Sequence, residues 1–341
     1  MGRISRIAVI LLITAGIVAS WAYATGFFKP KPYKETQFYM DTIIEITAYG
    51  PHAEEGVKAA FAEFKQLHGL TNNFDPDSQI SLINQMAGRE KVPVDPDMVF
   101  MINRANELAD RLDGTFDVAI GPLTDLWGIG RKGDYVPGPA EIAAALRLVN
   151  YHKVKVDAGE NTVYLEEPGM KLDMGGIAKG YATDRAIEAL KAKGVTAALV
   201  NAGGDVRVIG KRPDGQPWRI GVQDPRNPDG IIAKLSLTDW DTMETSGDYQ
   251  RFIEKDGVRY SHIIDPRTGW QPRQITSVTM VLNSSVDGDI LSTAIFVLGV
   301  DRGRELLRQF PGVEAIIMTK DGELVLTPGL EGKVEKETSG G

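Results

Sequence analysis

Lys171 to Asp184 read KLDMGGIAKGYATD. Leu172 and Met174 alternate with polar residues, as in a strand, and helical spacing takes over from Ile177. The stretch therefore reads as a strand that hands over to a helix of about Ile177 to Lys193, with Gly194 as the residue that ends it. Gly175 and Gly176 permit positive φ and close backbone approach. The helix start offers free N–H groups to an anion, and Lys179 adds a cation. The pattern is not a P-loop, which places lysine directly after its second glycine; here Lys179 precedes Gly180 and Tyr181 follows. It is not G-x-G-x-x-G either. A phosphate cradle and a plain tight turn beside a solvated lysine both fit these residues. Asp173, just before the turn, is placed to read a ligand N–H or hydroxyl.

Outward from this stretch, strands and helices mix without a steady βαβ rhythm. Met40–Gly50 reads as a strand, followed by helices over about Ala53–Leu67 and Asp95–Leu112 and a short one within PAEIAAALRLV. Asp77 or Ser78 could cap another short helix. HKVKVDAGENTVYLEE, DYQRFIEKDGVRYSHIIDP and VEAIIMTKDGELVLTP read as hairpins. WRIGVQ, IIAKLSL and ITSVTMVL read as strands, and helices follow over about Asp289–Leu298 and Arg302–Gln309. The expected class is α+β, with a mixed β-sheet core and flanking helices.

The 341 residues carry a net charge of -8, with no basic stripe interleaved with aromatics, which argues against nucleic-acid binding. With no cysteine, the chain has no disulfide, thiolate nucleophile or Cys-ligated metal. Arg3 and Arg6 precede an apolar run, Ile7–Phe28, which contains AYA at Ala22–Ala24. This fits a secretory signal or an uncleaved membrane anchor. Either one puts the body on the periplasmic or extracytoplasmic side. The expected division is residues 1–34 as signal or anchor and linker, 35–330 as the folded domain, and 331–341 as a disordered tail.

Other stretches carry candidate chemistry. VNAGGDV (Val200–Val206) is a strand, a double-glycine break and a strand: a β-bulge, or a wall for a flat ligand. Among four histidines, His262 stands three residues before Asp265 in SHIIDPRTG, across a hairpin from TSGDYQ. Histidine suits general-base work near neutral pH, and a purely structural histidine is the alternative. Asp289 and Thr293 share a helix face at i and i+4. Two oxygen donors there suit a hard cation such as Mg²⁺, although an N-terminal aspartate and a buried threonine would look the same.

Taken together and in order, YMDT, GTFDVAIGPLTDLWGIG, LDMGGIAKGYATD, VNAGGDV, TSGDYQ, SHIIDPRTG and DGDILSTAIFVLG resemble the FAD:protein FMN transferase family, once called thiamine biosynthesis lipoproteins. The resemblance spans Met40 to about Gly299. It implies an FAD cleft between two intimate lobes and a Mg²⁺-dependent reaction that joins FMN to a target threonine or serine through a phosphoester, releasing AMP. It implies Gly176, Asp289 and Thr293 as metal ligands. Met40, Phe74, Thr115, Phe116, Asp117, Asp173, Lys179 and Ile263 become FAD contacts, and His262 the base, with Asp265 expected to orient it. Phe74 stands where the family often has tyrosine, and Gly288 where alanine is usual. The implied acceptors are exported domains of redox complexes, such as Rnf-type or sodium-pumping NADH:quinone reductase subunits. An FAD pyrophosphatase and a non-enzymatic FAD carrier are the alternatives.

Overall fold

The computed structural model describes residues 31–337. The apolar run at Ile7–Phe28 lies outside them, and among the described residues no helix is long and apolar enough to cross a membrane. In chain order the strands are β1 (Tyr33–Tyr39), β2 (Thr42–Tyr49), β3 (Val92–Pro93), β4 (Val154–Asp157), β5 (Thr162–Leu165), β6 (Ala197–Ala202), β7 (Asp205–Ile209) and β8 (Trp218–Asp224). They continue as β9 (Asn227–Leu237), β10 (Thr242–Gly247), β11 (Phe252–Lys255), β12 (Val258–Ser261), β13 (Ile275–Leu282), β14 (Glu314–Thr319), β15 (Leu324–Leu326) and β16 (Val334–Lys336). The helices are α1 (Ala53–Thr71), α2 (Gln79–Gln85), α3 (Pro96–Arg111), α4 (Gly121–Trp127), α5 (Pro139–Leu146), α6 (Ala178–Ala192), α7 (Ser285–Leu298) and α8 (Val300–Leu307).

Eight strands form the central sheet in the order β1-β2-β6-β7-β10-β13-β14-β15. Every ladder in it is antiparallel, which corrects the expected mixed sheet. The only parallel pairing among the described residues is an isolated bridge, Ile120 to Lys171. One face of the sheet, with Ile44, Ile46, Val200 and Met280, packs against α1, α3, α6 and α7 in the main core. Val206, Val208, Met243 and Val281 point the other way, where the three-stranded sheet β16-β9-β8 covers them with Trp218, Val222, Leu235 and Leu237. Strand β13 is buried along its whole length because both faces are covered, so ITSVTMVL is continuously buried instead of alternating. A separate apolar cluster joins Leu123 and Trp127 of α4, Ile142 of α5, and Ile264.

Several boundaries differ from those read in the sequence. MKLDM is no strand beyond its one bridge, because Leu172 N–H donates to Asn84 Oδ1 and Asp173 N–H to the Val118 carbonyl. Gly203 and Gly204 do not form a bulge. They are the two-residue turn of the β6–β7 hairpin, with φ of 68° and 103°, and Ala202 pairs with Asp205 across it. Instead of fraying, the segment after Glu331 adds β16 to β9, while residues 338–341 lie outside the described region.

Helix α7 is buried on nearly all sides and crosses α6 close to the N-termini of both. Gly180 makes that crossing possible. A Cβ there would sit 2.3 Å from the Ser285 carbonyl oxygen and 2.9 Å from Asp289 Cβ. Gly180→Ala should therefore destabilise the fold by about 2–3 kcal/mol through overpacking, read as a melting temperature several degrees lower. An unchanged melting temperature would mean that the helices separate freely at this point.

Candidate active site

The N-termini of α6 and α7 cap each other. A helix start leaves its first N–H groups without intrahelical partners. In α6 the Gly180 N–H donates to Asp289 Oδ2 of α7 at 3.0 Å. In α7 the Ser285 and Val286 N–H groups donate to Asp184 Oδ1 and Oδ2 of α6 at 2.9 and 3.1 Å, and Asp287 N–H donates to Ser284 Oγ. Because Gly180 donates to Asp289, its N–H does not close a turn onto the Gly176 carbonyl, and the first helical acceptor is the Ile177 carbonyl. Neither Gly175 nor Gly176 adopts positive φ, so the double glycine is there for space. A Cβ on Gly176 would meet the Phe116 ring at 2.8 Å and Thr293 Oγ1 at 3.6 Å. Thr293 Oγ1 thus lies close to Gly176, and Asp289, one turn before it in α7, reaches the start of α6 at Gly180. Ser246 Oγ lies 3.4 Å from Thr293 Oγ1 and 2.8 Å from Ser292 Oγ. These are hard oxygen donors of the kind Mg²⁺ prefers.

Lys179 is not a mobile surface cation. Its ammonium pairs with Asp205 and lies 3.6 Å from Asp289 Oδ1 and 3.8 Å from Glu244 Oε2. Sequence reasoning singled out neither Asp205 nor Glu244. Asp205 follows the double-glycine turn and also accepts the Thr245 N–H at 2.6 Å. Glu244 is 1 % exposed, inside a strand, TMETSG, that otherwise reads as hydroxyl-rich. Its carboxyl pKa is raised, first by burial and then by the nearby Asp289 charge, with Lys179 opposing. Gly288 makes room for it, since a Cβ there would lie 2.5 Å from Glu244 Cγ. The only local signal in the sequence is the glycine itself, Gly288, at the start of DGDILSTAIFVLG.

His262 is half-buried beyond β12, and its Nδ1 lies 3.2 Å from the Arg251 carbonyl oxygen. A carbonyl only accepts, so Nδ1 carries the proton and Nε2 keeps its lone pair. Burial, then the Arg251 guanidinium, push its pKa down to about 4. Asp265 does not orient it. Asp265 Oδ1 accepts from the Arg267 N–H and Nε, and Oδ2 from the Arg267 guanidinium, all at 2.9 Å. That pairing shapes the DPRTG turn, which corrects the role expected for Asp265. The side chain of Ile263 is buried in the main core.

The remaining expected contacts separate into two groups. The Thr115 hydroxyl is buried and donates to the Leu112 carbonyl. Asp117 is buried and accepts from the Ala119 and Tyr151 N–H groups, with its pKa pushed up to about 6 by burial. These two side chains brace the turn and leave only backbone to face a ligand. Phe116 differs, because its ring reaches Gly176. Asp173 accepts from Gly175 N–H and from Thr124 Oγ1, each at 2.8 Å. Thr124 lines a cavity of about 370 Å³ with Phe74, Asn84 and Lys171. Phe74 is 61 % exposed at its edge, with the Arg131 guanidinium 5.0 Å from the ring centre. Met40 has φ of 53° in the β1–β2 turn, and its N–H donates to His68 Nδ1. The neighbouring Asp41 lies 3.9 Å from Arg251, so this turn faces the hairpin that bears His262.

Comparison with known proteins follows the same arrangement. A family model described as the ApbE family matches residues 40–317. A FAD:protein FMN transferase from Klebsiella pneumoniae is 36% identical over 86% of this chain and 92% of its own length. Another from Treponema pallidum is 32% identical over 96% of this chain and 95% of its own. The crystal structure of the ApbE protein of Thermotoga maritima superposes with a TM-score of 0.82 at 34% identity, covering 88% of this chain and 98% of that one. The apo flavinyl transferase ApbE of Pseudomonas stutzeri superposes at 0.79 with 29% identity, covering 89% and 97%. With sequence and fold matched over most of its length, this chain belongs to the ApbE family.

Proposed function

We propose that the protein transfers FMN from FAD to a threonine or serine hydroxyl of an acceptor protein. The observation that supports this reading is the crossing of α6 and α7, which leaves the Gly176 carbonyl outside the helix, brings Asp289 onto the Gly180 N–H and puts Thr293 Oγ1 close to Gly176. Those three residues would hold Mg²⁺, which would neutralise pyrophosphate charge and activate the phosphorus as a Lewis acid. FAD would lie in the cleft between the helical body and the lobe built on α4 and α5. Met40, Phe74, Phe116 and Asp173 would contact it by side chain, and Thr115, Asp117 and Ile263 by backbone. Lys179, paired with Asp205 and facing Asp289 and Glu244, would offset part of their negative charge beside the phosphates. His262 Nε2 would take the proton from the acceptor hydroxyl. That oxygen attacks the FMN-side phosphorus, the bond to the AMP phosphate breaks, and AMP leaves. FMN remains on the acceptor through a phosphoester.

The apolar run at Ile7–Phe28 supports placing the reaction on the periplasmic or extracytoplasmic side, with the protein anchored there or released after cleavage. Exported domains of Rnf-type or sodium-pumping NADH:quinone reductase subunits are the acceptors to try first.

The direct test is mass spectrometry of a threonine-bearing acceptor domain incubated with the purified protein, FAD and Mg²⁺. The expected result is a mass gain equal to FMN that disappears with EDTA. Release of free FMN and AMP from every acceptor tried, with no gain, would make water the acceptor and the protein an FAD pyrophosphatase. His262→Ala should lower transfer about 10²–10⁴-fold with FAD affinity nearly unchanged; undiminished transfer would remove His262 as the base.

The position of His262 also sets a pH signature. Its neutral form persists down to about pH 4 in the folded protein, against about 6.5 in the unfolded chain. Transfer measured as kcat/KM should hold level on lowering the pH from about 8 to about 5 and fall on an acid limb near 4. A limb near 6.5 would place His262 in an ordinary solvated setting. Between about pH 4 and 6.5 the unfolded chain binds the extra proton, so this residue's contribution to stability is full above that window and fades as pH falls through it.

A further inference from the structure

Asp184 closes the stretch KLDMGGIAKGYATD, yet it reaches neither FAD contacts nor metal donors. Its carboxylate sits two turns into α6 and accepts from the first two N–H groups of α7, Ser285 at 2.9 Å and Val286 at 3.1 Å. Arg207 of β7 pairs with that carboxylate and also reaches Asp241 and the Asn283 carbonyl, at 3.3 and 3.2 Å. The carboxylate meets an arginine and the positive end of a helix together, and both favour its charged form, but burial outweighs them and its pKa is raised. An ordinary cap comes from the residue preceding its own helix. Here Ser284 fills that place for the Asp287 N–H, and Asp184 supplies a second cap from another helix.

The two helices are joined near their N-termini at two points. At one, Gly180 N–H donates to Asp289; at the other, Asp184 accepts from Ser285 and Val286. Asp289 lies about one turn and Thr293 about two turns along α7 from the Asp184 clamp, roughly 6 and 12 Å at the helical rise. The Gly176 carbonyl lies just ahead of α6. A small slide of α7 on α6 therefore separates Asp289 and Thr293 from Gly176 without altering any of the three. We infer that Asp184 is a positioning residue that sets the cation affinity of the Gly176, Asp289 and Thr293 group while touching neither the ion nor FAD. The inference rests on the metal reading proposed above.

The experiment is a titration of the full chain with Mn²⁺, followed by the EPR signal of the free ion. FAD affinity in EDTA and thermal melting are measured on the same samples. Asp184→Asn keeps the side-chain volume but turns an amide towards one of the two N–H groups. It should weaken Mn²⁺ binding about tenfold or more, the effect of outer supports at metal sites, with FAD affinity within about twofold of the parent. Mn²⁺ affinity equal to the parent's, with only the melting temperature lowered, would reduce Asp184 to a stabilising contact and overturn the inference. If Asp184→Asn does not fold, Arg207→Gln leaves the carboxylate and removes its counter-ion. Weaker Mn²⁺ binding in that variant supports the clamp, and unchanged binding overturns it. Asp289→Asn is the control. A parent that binds no Mn²⁺, or an Asp289→Asn protein that binds it as tightly as the parent, overturns the metal reading and this inference with it. A control that behaves as expected beside an unaffected Asp184→Asn overturns the role of Asp184 alone.

Discussion

The hydrogen bond from Gly180 N–H to Asp289 Oδ2 is the contact from which the rest of the site follows. A buried helix start without partners for its N–H groups costs free energy, so two helices that meet by their N-termini need acceptors from outside. Asp289 supplies one with a single oxygen. Its other oxygen is left to face Lys179, and the Gly176 carbonyl is left outside the helical ladder. Satisfying the backbone in this way brings Asp289 to the start of α6 and leaves Thr293 Oγ1 close to Gly176. The glycines serve the same end. Gly180 admits the Ser285 carbonyl and Asp289, and Gly176 admits the Phe116 ring.

Charge is the second constraint on this crossing. Asp205, Glu244 and Asp289 are all buried around the one ammonium of Lys179. Unpaired buried carboxylates are costly, and a single cation cannot balance three of them. Burial, and then the Asp289 charge, raise the pKa of the Glu244 carboxyl, against the opposing charge of Lys179. A divalent cation at Asp289 would relieve the same excess of negative charge. The metal reading thus has a basis in the electrostatics of the protein itself, separate from the count of oxygen donors.

How legible these features were depends on whether they are local. Helices α1, α3 and α6 follow from apolar spacing, with Asp95 capping α3 and Gly194 ending α6, and the Asp256–Gly257 hairpin follows from turn chemistry, whereas the Gly203–Gly204 hairpin turn reads as a bulge in the sequence. Strand β1 was missed because YKETQFY is polar on its outer face and stands at a sheet edge. Strand β10 was missed because TMETSG is buried despite its polar composition. The i, i+4 spacing located Asp289 and Thr293, but Glu244 and Asp205 join the site through β-ladders and helix packing between distant segments. The distance between Lys179 and Glu244 along the chain says nothing of their meeting. Asp265 was misjudged because its nearness to His262 in sequence suggested a partnership, whereas Arg267, two residues further on, takes both its oxygens.

The two halves of the site rest on different supports. Asp289, Thr293, Gly176 and Lys179 belong to the α6–α7 crossing in the main core. The loop after His262 is held by the separate cluster of Leu123, Trp127, Ile142 and Ile264, by the Trp127 indole N–H donating to the Gly269 carbonyl at 2.9 Å, and by the Asp265–Arg267 pair. Changes far apart with no shared partners are close to additive in free energy. A substitution in the small cluster, such as one at Trp127, therefore acts first on the loop after Ile264, while His262 is also held through Ile263, whose side chain is buried in the main core. A substitution at the helix crossing acts first on the oxygen donors.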